Sequence, residues 1–377
     1  MSDVDVLIIG AGAAGAACAE TLRAEGFTGS VLLAGREADP PYERPPASKS
    51  YLQGASSREQ AFLQSDRFWA EQDIDLRVRT SVMKLDPATR VAKVGSDELS
   101  FDRALLATGA NVRRLRVDGG GLEGIHYLRA LGNADAIRTE AEHAERIVLV
   151  GGSYIACEVA ASLTVQGKRC ALVAMESAPL SNGFGDAAGA FFAGVLREHG
   201  VELHMGETLS AFEGSGERVE RIVCESGLTV DADLVVMGTG AMPDVMLARA
   251  SGLELGETGG VRCDARLRTS ADGIWAAGDV CEYESAVHGR RLRVEHFEVA
   301  RAQGAFAARS MLGADEDYVE IPYFWSDLAD WISLEYVGPA PAWDAEAVRG
   351  SIDAGEFSIF YLDADRRVLG ALSGGGA

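Results

Sequence analysis

A chain of 377 residues exceeds one ordinary domain and suits two or three, and its 47% hydrophobic content is ample for buried cores. Its 57 acidic and 35 basic residues give a formal net charge of −22, which argues against nucleic acid and anionic lipid as partners. No run of eighteen apolar residues appears, which argues against a membrane span.

The N-terminus passes from Ser2-Asp3-Val4-Asp5 straight into an apolar run, with no basic leader and no cleavage pattern, and this predicts a cytoplasmic protein. Val4 to Ile9 is a short β-branched stretch of the kind buried on both faces of a parallel sheet. Gly10-Ala11-Gly12-Ala13-Ala14-Gly15 follows, then an Ala-rich helix to about Glu25, then a strand over Ser30 to Ala34. Gly10 permits the tight turn, Gly12 lets backbone approach a pyrophosphate, and Gly15 lets helix and strand touch, with small Ala19 supporting that contact. The helix N-terminus, at Ala13 and Ala14, then faces the phosphates. Glu37, just past the second strand, is placed to accept from ribose hydroxyls.

A second copy of this plan starts at Arg146. Ile147 to Val150 is its strand, Gly151-Gly152-Ser153 its turn, Tyr154 to Gln166 its helix, and Cys170 to Ala174 the next strand. Ser153 and Ala156 stand where the second and third glycines belong. Alanine suits helix packing; serine either reshapes the phosphate approach or donates its hydroxyl to it. Glu176 follows the strand two positions later than usual, and an acid there favours NADH over NADPH. Strand-rich pieces ending in Gly-bearing turns lie at Ala104 to Gly109, Leu234 to Gly240 (with Gly238) and Ile274 to Asp279 (with Gly278). From about Ile321 the chain becomes aromatic, with Trp325, Trp331, Tyr336 and Trp343, and a separate module is expected; Ser373 to Ala377 reads as disordered.

The six cysteines form no C-x-x-C pair, so neither a metal site nor a redox dithiol has support, and small buried thiols are expected. Lysine is scarce, occurring only at Lys49, Lys84, Lys93 and Lys168.

The segment Tyr42-Glu43-Arg44-Pro45-Pro46-Ala47-Ser48-Lys49 resembles one of the FAD-dependent ferredoxin/putidaredoxin reductase family. Further matches run in order through Ala107-Thr108-Gly109, Glu158-Val159-Ala160-Ala161, Ala276-Ala277-Gly278-Asp279-Val280, Val294-Glu295-His296-Phe297 and Pro322-Tyr323-Phe324-Trp325-Ser326-Asp327. The resemblance covers essentially the whole chain. It implies an α/β fold of two Rossmann-like dinucleotide-binding domains and a small α+β C-terminal domain. Residues 1–112 and 241–320 would bind FAD, 113–240 NAD(P)H, and 321–377 would form an interface domain lacking the family's last helical stretch.

The same resemblance implies individual roles. Arg44, Val82, Ala107, Thr108, Gly109, Arg129, Gly278 and Asp279 would lie along FAD, with Glu295, His296, Phe297 and Trp325 framing the flavin. Lys49 would sit near the isoalloxazine, paired with Glu158; two preceding prolines restrict its backbone and suit a positioned cation. Gly151, Gly152, Ser153, Tyr154, Ile155, Glu158, Glu176, Gly238 and Gly240 would line the nicotinamide nucleotide. Phe297 departs from the family's usual Trp.

The implied activity is hydride transfer from NADH to FAD, then single electrons to a ferredoxin-type iron–sulfur protein serving an oxygenase, by a monomer or homodimer. An acidic ferredoxin would need a basic docking patch on this acidic chain, and Arg290, Arg291 and Arg293 are the candidates. Two other readings stay open. One is a flavoprotein reductase of a quinone, oxygen, monodehydroascorbate or a biosynthetic intermediate. The other is a redox-dependent interaction protein resembling apoptosis-inducing factor.

Overall fold

The computed structural model describes residues 3–65 and 67–375; the N-terminal reading at Ser2 and the disorder expected of Gly376 and Ala377 lie outside them. The chain divides into two units. One holds residues up to 43, 62–111 and 242–324; the other holds 44–61, 112–241 and 325 onward.

In the first unit, five parallel strands stand in the order Ile74–Arg77, Val31–Ala34, Val4–Ile9, Asp97–Leu106 and Ile274–Ala276. Val4–Ile9 and Val31–Ala34 are almost wholly buried, as β-branched strands covered on both faces must be. Asp97–Leu106 is the longest strand of this sheet: its first part pairs antiparallel with Val91–Val94, its second part parallel with Val4–Ile9.

The helix Ala13–Ala24 is alanine-rich for a packing reason. It buries Ala14, Gly15, Ala16, Ala17, Cys18, Ala19 and Leu22, and it packs closely against the helix Phe297–Met311. A β-carbon on Gly304 would stand 2.0 Å from the carbonyl oxygen of Ala14, so this crossing admits only glycine.

The second unit repeats the plan. Its parallel strands run Glu202–Met205, Arg169–Ala174, Arg146–Val150, Leu234–Met237 and Ile125–Tyr127, with the glycine-turn strand again in the centre. The helix Tyr154–Val165 follows that strand, within one residue of the sequence expectation. A three-stranded antiparallel sheet of Leu209–Glu213, Arg221–Cys224 and Thr229–Asp231 completes the Rossmann-like part.

The C-terminal module departs from the α+β expectation. Among described residues 323–375 there is no helix; five strands stand in the order Tyr323–Leu328, Ile332–Val337, Val368–Gly375, Glu356–Leu362 and Ala345–Ser351. Ser373, Gly374 and Gly375 are not disordered but end a central strand paired on both sides. Their small size is used there: the Phe357 ring comes within 2.6 Å of where a Gly374 β-carbon would be, and the hydroxyls of Ser358 and Ser373 meet at 2.9 Å.

Gly304→Ala is expected to lower unfolding stability by about 1–3 kcal/mol through forced displacement of the helix pair. Gly194→Ala, inside the helix Ser181–Glu198 with nothing within 4 Å of the new methyl, should be neutral or stabilising by about 0.5–1 kcal/mol. Denaturant unfolding followed by circular dichroism ranks the two; equal effects would refute the packing account.

Candidate functional site

The first glycine turn has the geometry of a phosphate cradle. Gly10 has φ +114°, and a β-carbon there would stand 2.1 Å from the Ala107 carbonyl oxygen. One on Gly15 would stand 1.9 Å from the Gly10 oxygen. A β-carbon on Gly12, by contrast, would have nothing within 4 Å, so that side of the turn is open to a ligand while Gly10 and Gly15 are shut to side chains. Gly12 caps the helix Ala13–Ala24 without a side-chain hydrogen bond, and the first turn carries no acid. An uncapped helix end with free space in front of it fits a pyrophosphate. These residues therefore fit a bound dinucleotide.

The rest of the first unit supplies polar groups. Tyr42, itself buried, donates its phenol to Glu37 Oε2 at 2.5 Å and fixes that carboxylate past the second strand. Thr108 Oγ1 donates to the Asp244 carbonyl at 2.7 Å, which ties the Ala107-Thr108-Gly109 turn to its neighbour; the Asp244 carboxylate in turn holds Arg36 at 2.8 Å. Gly278, with φ +77°, donates its amide to Gln303 Oε1 at 2.8 Å, and Asp279 follows in the 3-10 turn Gly278–Val280. Gln303 is fully buried and its Nε2 has no hydrogen-bond partner among the described residues.

His296 and Phe297 are partly buried at the start of the helix Phe297–Met311, whereas Glu295 is exposed and paired with Arg293 at 2.5 Å. His296 packs its ring 4.3 Å from that of Phe324. Burial pushes its imidazole down to about 4, against a weaker upward pull from Asp279. Val82 is half-buried in the strand Val82–Asp86.

In the second unit, Gly151 has φ +120° and a β-carbon there would stand 2.3 Å from the Gly238 oxygen. Ser153, replacing the second glycine, donates its hydroxyl to that same Gly238 carbonyl at 3.2 Å. The serine thus braces the turn. Glu176 reaches the turn despite its late position, its Oε2 standing 3.0 Å from where a Gly152 β-carbon would be. Asn182 donates to its other oxygen at 3.4 Å. Tyr154 is partly buried and edges onto Phe184, Ile155 is exposed, and Gly240 has φ +86° with no neighbour in its β-carbon direction.

The densest chemistry of this unit surrounds Glu158, which is 4% exposed. Lys49 Nζ pairs with its Oε1 at 2.5 Å, the pairing that the resemblance implies. Ser48 donates to Oε2 at 2.5 Å and Ser326 donates to Oε1. The Lys49 ammonium also lies 5.2 Å from the ring centre of Trp325, a cation–π distance. One turn along the same helix, Ser162 donates to the Ser48 carbonyl at 2.8 Å, and after another turn Gln166 donates to the Leu52 carbonyl at 3.0 Å. A polar stripe at i, i+4 and i+8 on an otherwise apolar helix therefore clamps the segment carrying Lys49. Sequence reasoning missed Ser48, Ser162, Gln166 and Ser326, although the stripe itself was visible. Arg44 donates to the Arg129 carbonyl at 2.7 Å, which brings those two predicted residues together.

The pyridine nucleotide-disulphide oxidoreductase family matches residues 4–304. Rhodocoxin reductase of Rhodococcus erythropolis is 32% identical over 98% of this chain and 86% of its own length. The anthranilate 1,2-dioxygenase system ferredoxin–NAD(+) reductase component of Burkholderia cepacia is 34% identical over 98% of this chain and 91% of its own. The reductase in the crystal structure of the covalent putidaredoxin reductase–putidaredoxin complex superposes with a TM-score of 0.93 at 33% identity, covering 99% of this chain and 90% of that one. The chain belongs to the pyridine nucleotide-disulphide oxidoreductase family.

All six cysteines are free and buried, and burial pushes the Cys170 thiol up to about 11, with Cys18 and Cys157 higher still. The three candidate docking arginines differ in their surroundings. Arg291 donates to the Cys263 carbonyl at 2.8 Å and Arg293 is spent on Glu295 and the Asp279 carbonyl, which leaves Arg290 as the exposed member.

A stability test follows for His296. The unfolded imidazole takes a proton below about 6.5, the folded one only below about 4, so its contribution is full above 6.5 and is lost as pH falls toward 4. His296→Gln should flatten that fall by on the order of 2 kcal/mol. Matching pH–stability slopes in the two proteins would refute it.

Proposed function

We propose that this protein is an FAD-dependent NAD(P)H reductase that takes hydride from NADH and passes single electrons to a ferredoxin-type iron–sulfur protein serving an oxygenase. One observation carries the reading: the same glycine-shut strand end, entering a helix, occurs once in each unit, at Gly10 and at Gly151. The family supplies the chemistry that two such nucleotide sites perform. The putidaredoxin reductase–putidaredoxin complex supports an iron–sulfur partner, and the anthranilate system reductase supports NAD as the nucleotide.

In this reading residues 1–112 and 241–320 hold FAD, 113–240 hold NADH, and 321–377 serve the partner. When bound, FAD supplies the exchange between two-electron hydride chemistry and one-electron transfer. The chain's own residues bind and orient. The amides at Gly12 to Gly15 receive one pyrophosphate, and Glu37, held by Tyr42, accepts from a ribose. Glu176 accepts from the ribose of NADH and repels the 2′-phosphate of NADPH. Lys49 presents a fixed ammonium that stabilises negative charge on the reduced flavin. Among the described residues no helix is long and apolar enough to cross a membrane, and a cytoplasmic location is part of the proposal.

Two substitutions test this. Gly12→Glu should leave the thermal midpoint of the cofactor-free protein near that of the wild type, since nothing lies within 4 Å of the new β-carbon, yet abolish the yellow flavin spectrum. Retained flavin would defeat the assignment of the first turn. Lys49→Met should keep flavin bound but slow its reduction by NADH roughly 10- to 100-fold in stopped-flow. An unchanged rate would remove Lys49 from the reaction.

A further inference from the structure

The Glu158 carboxylate is gripped by more than the Lys49 ammonium. A carboxylate only accepts hydrogen bonds, through two oxygens. At Glu158 both are engaged: Oε2 by Ser48, Oε1 by Ser326 and Lys49. The two serines come from different elements, the 3-10 turn Pro45–Ser48 and the strand Tyr323–Leu328, and each is 2% exposed. Neither hydroxyl therefore has water as an alternative partner. Ser48 has one other acceptor within reach, the Pro45 carbonyl at 3.2 Å, which is a longer contact than its 2.5 Å to Glu158. Its own carbonyl is held by Ser162 at 2.8 Å, which fixes the backbone from which the hydroxyl reaches Glu158.

The remaining titratable neighbours add no competing donor of charge. Burial first, and the charge of Glu158 with it, push the protons of Tyr154 and Cys157 upward, so both stay neutral. Without the serines, Oε2 would have no donor and the carboxylate could rotate about its last torsion, carrying the ammonium off the Trp325 face.

The geometry points to Ser48 and Ser326 as positioning residues that fix the Glu158 carboxylate and thereby the direction of the Lys49 ammonium. Their consequence for flavin reduction rests on the reductase reading above; their grip on Lys49 does not. Neither serine touches substrate or cofactor in this assignment, so they act through Glu158 alone. Removing them should therefore slow the chemical step without weakening nucleotide binding, and should do nothing once Glu158 is gone.

The test uses the flavin-loaded protein and two readouts. With lysine at only four positions, the side-chain ammonium resonances are few, and that of Lys49 is assigned by its loss in Lys49→Met. In wild type it should exchange slowly with water. In S48A/S326A the exchange should quicken about tenfold, the effect of losing hydrogen bonds to a charged group, while Ser48→Thr and Ser326→Thr restore it. Stopped-flow reduction by NADH should slow about tenfold in S48A/S326A with unchanged apparent affinity for NADH, and adding both changes to Glu158→Gln should cause no further slowing. Wild-type exchange in S48A/S326A, or additive slowing on Glu158→Gln, overturns the assignment. Should the double variant fold poorly, S48A and S326A singly give the same readouts at smaller amplitude. If exchange quickens while Lys49→Met and Glu158→Gln still reduce at the wild-type rate, the positioning stands and the reductase role of the pair falls.

Discussion

At Gly10, and again at Gly151, a backbone carbonyl lies too close for a β-carbon to fit. The Ala107 oxygen is 2.1 Å and the Gly238 oxygen 2.3 Å from the respective β-carbon positions. That closeness joins the end of the central strand to the end of its neighbour and sets the angle at which the next helix leaves. A methyl at either position would part the strand ends and turn the helix terminus away from the space before it. The nucleotide chemistry argued for each unit depends on this contact, because the helix amides are useful only when they point into open space.

The two turns are built alike but not finished alike. Gly12 leaves its flank empty, whereas Ser153 spends its hydroxyl on the carbonyl that Gly151 already approaches. The sequence left open whether this serine would obstruct a phosphate or bond to it, and the structure gives it a third part, bracing the turn from the other side. Glu176 makes a similar point. Two residues late by sequence count, it still reaches the turn, because the loop after Ala174 folds back on Gly152.

What could be read from the chain and what could not divide along physical lines. Strand, turn and helix in both copies were legible because they rest on local periodicity and on glycines whose reason is local. The Lys49–Glu158 pair was legible only through resemblance. Ser48 and Ser326 were not: they lie 110 and 168 positions from Glu158, and buried serines carry no periodic signal. Ser373 to Gly375 misled because composition reports backbone freedom in isolation, while pairing on both sides and the Phe357 ring remove it. For the arginines at 290, 291 and 293, spacing says nothing of carbonyl partners, which two of the three have.

Stability alone gives no reason for a buried ion pair at Lys49 and Glu158. Exchanging such a pair for apolar residues of similar volume is often neutral or stabilising by about 1–4 kcal/mol, since both ions lose water. Here two serine hydroxyls offset part of that cost, but they are themselves committed to one carboxylate. Nor does scarcity favour it: this chain meets most of its need for positive charge with arginine, which cannot be mistaken for lysine in size or reach. A compact ammonium, held by a carboxylate that is itself held, with an aromatic face 5.2 Å away, is costly as a fastening. In the proposed reductase it is economical as a point charge that must not move while a flavin ring takes up electrons.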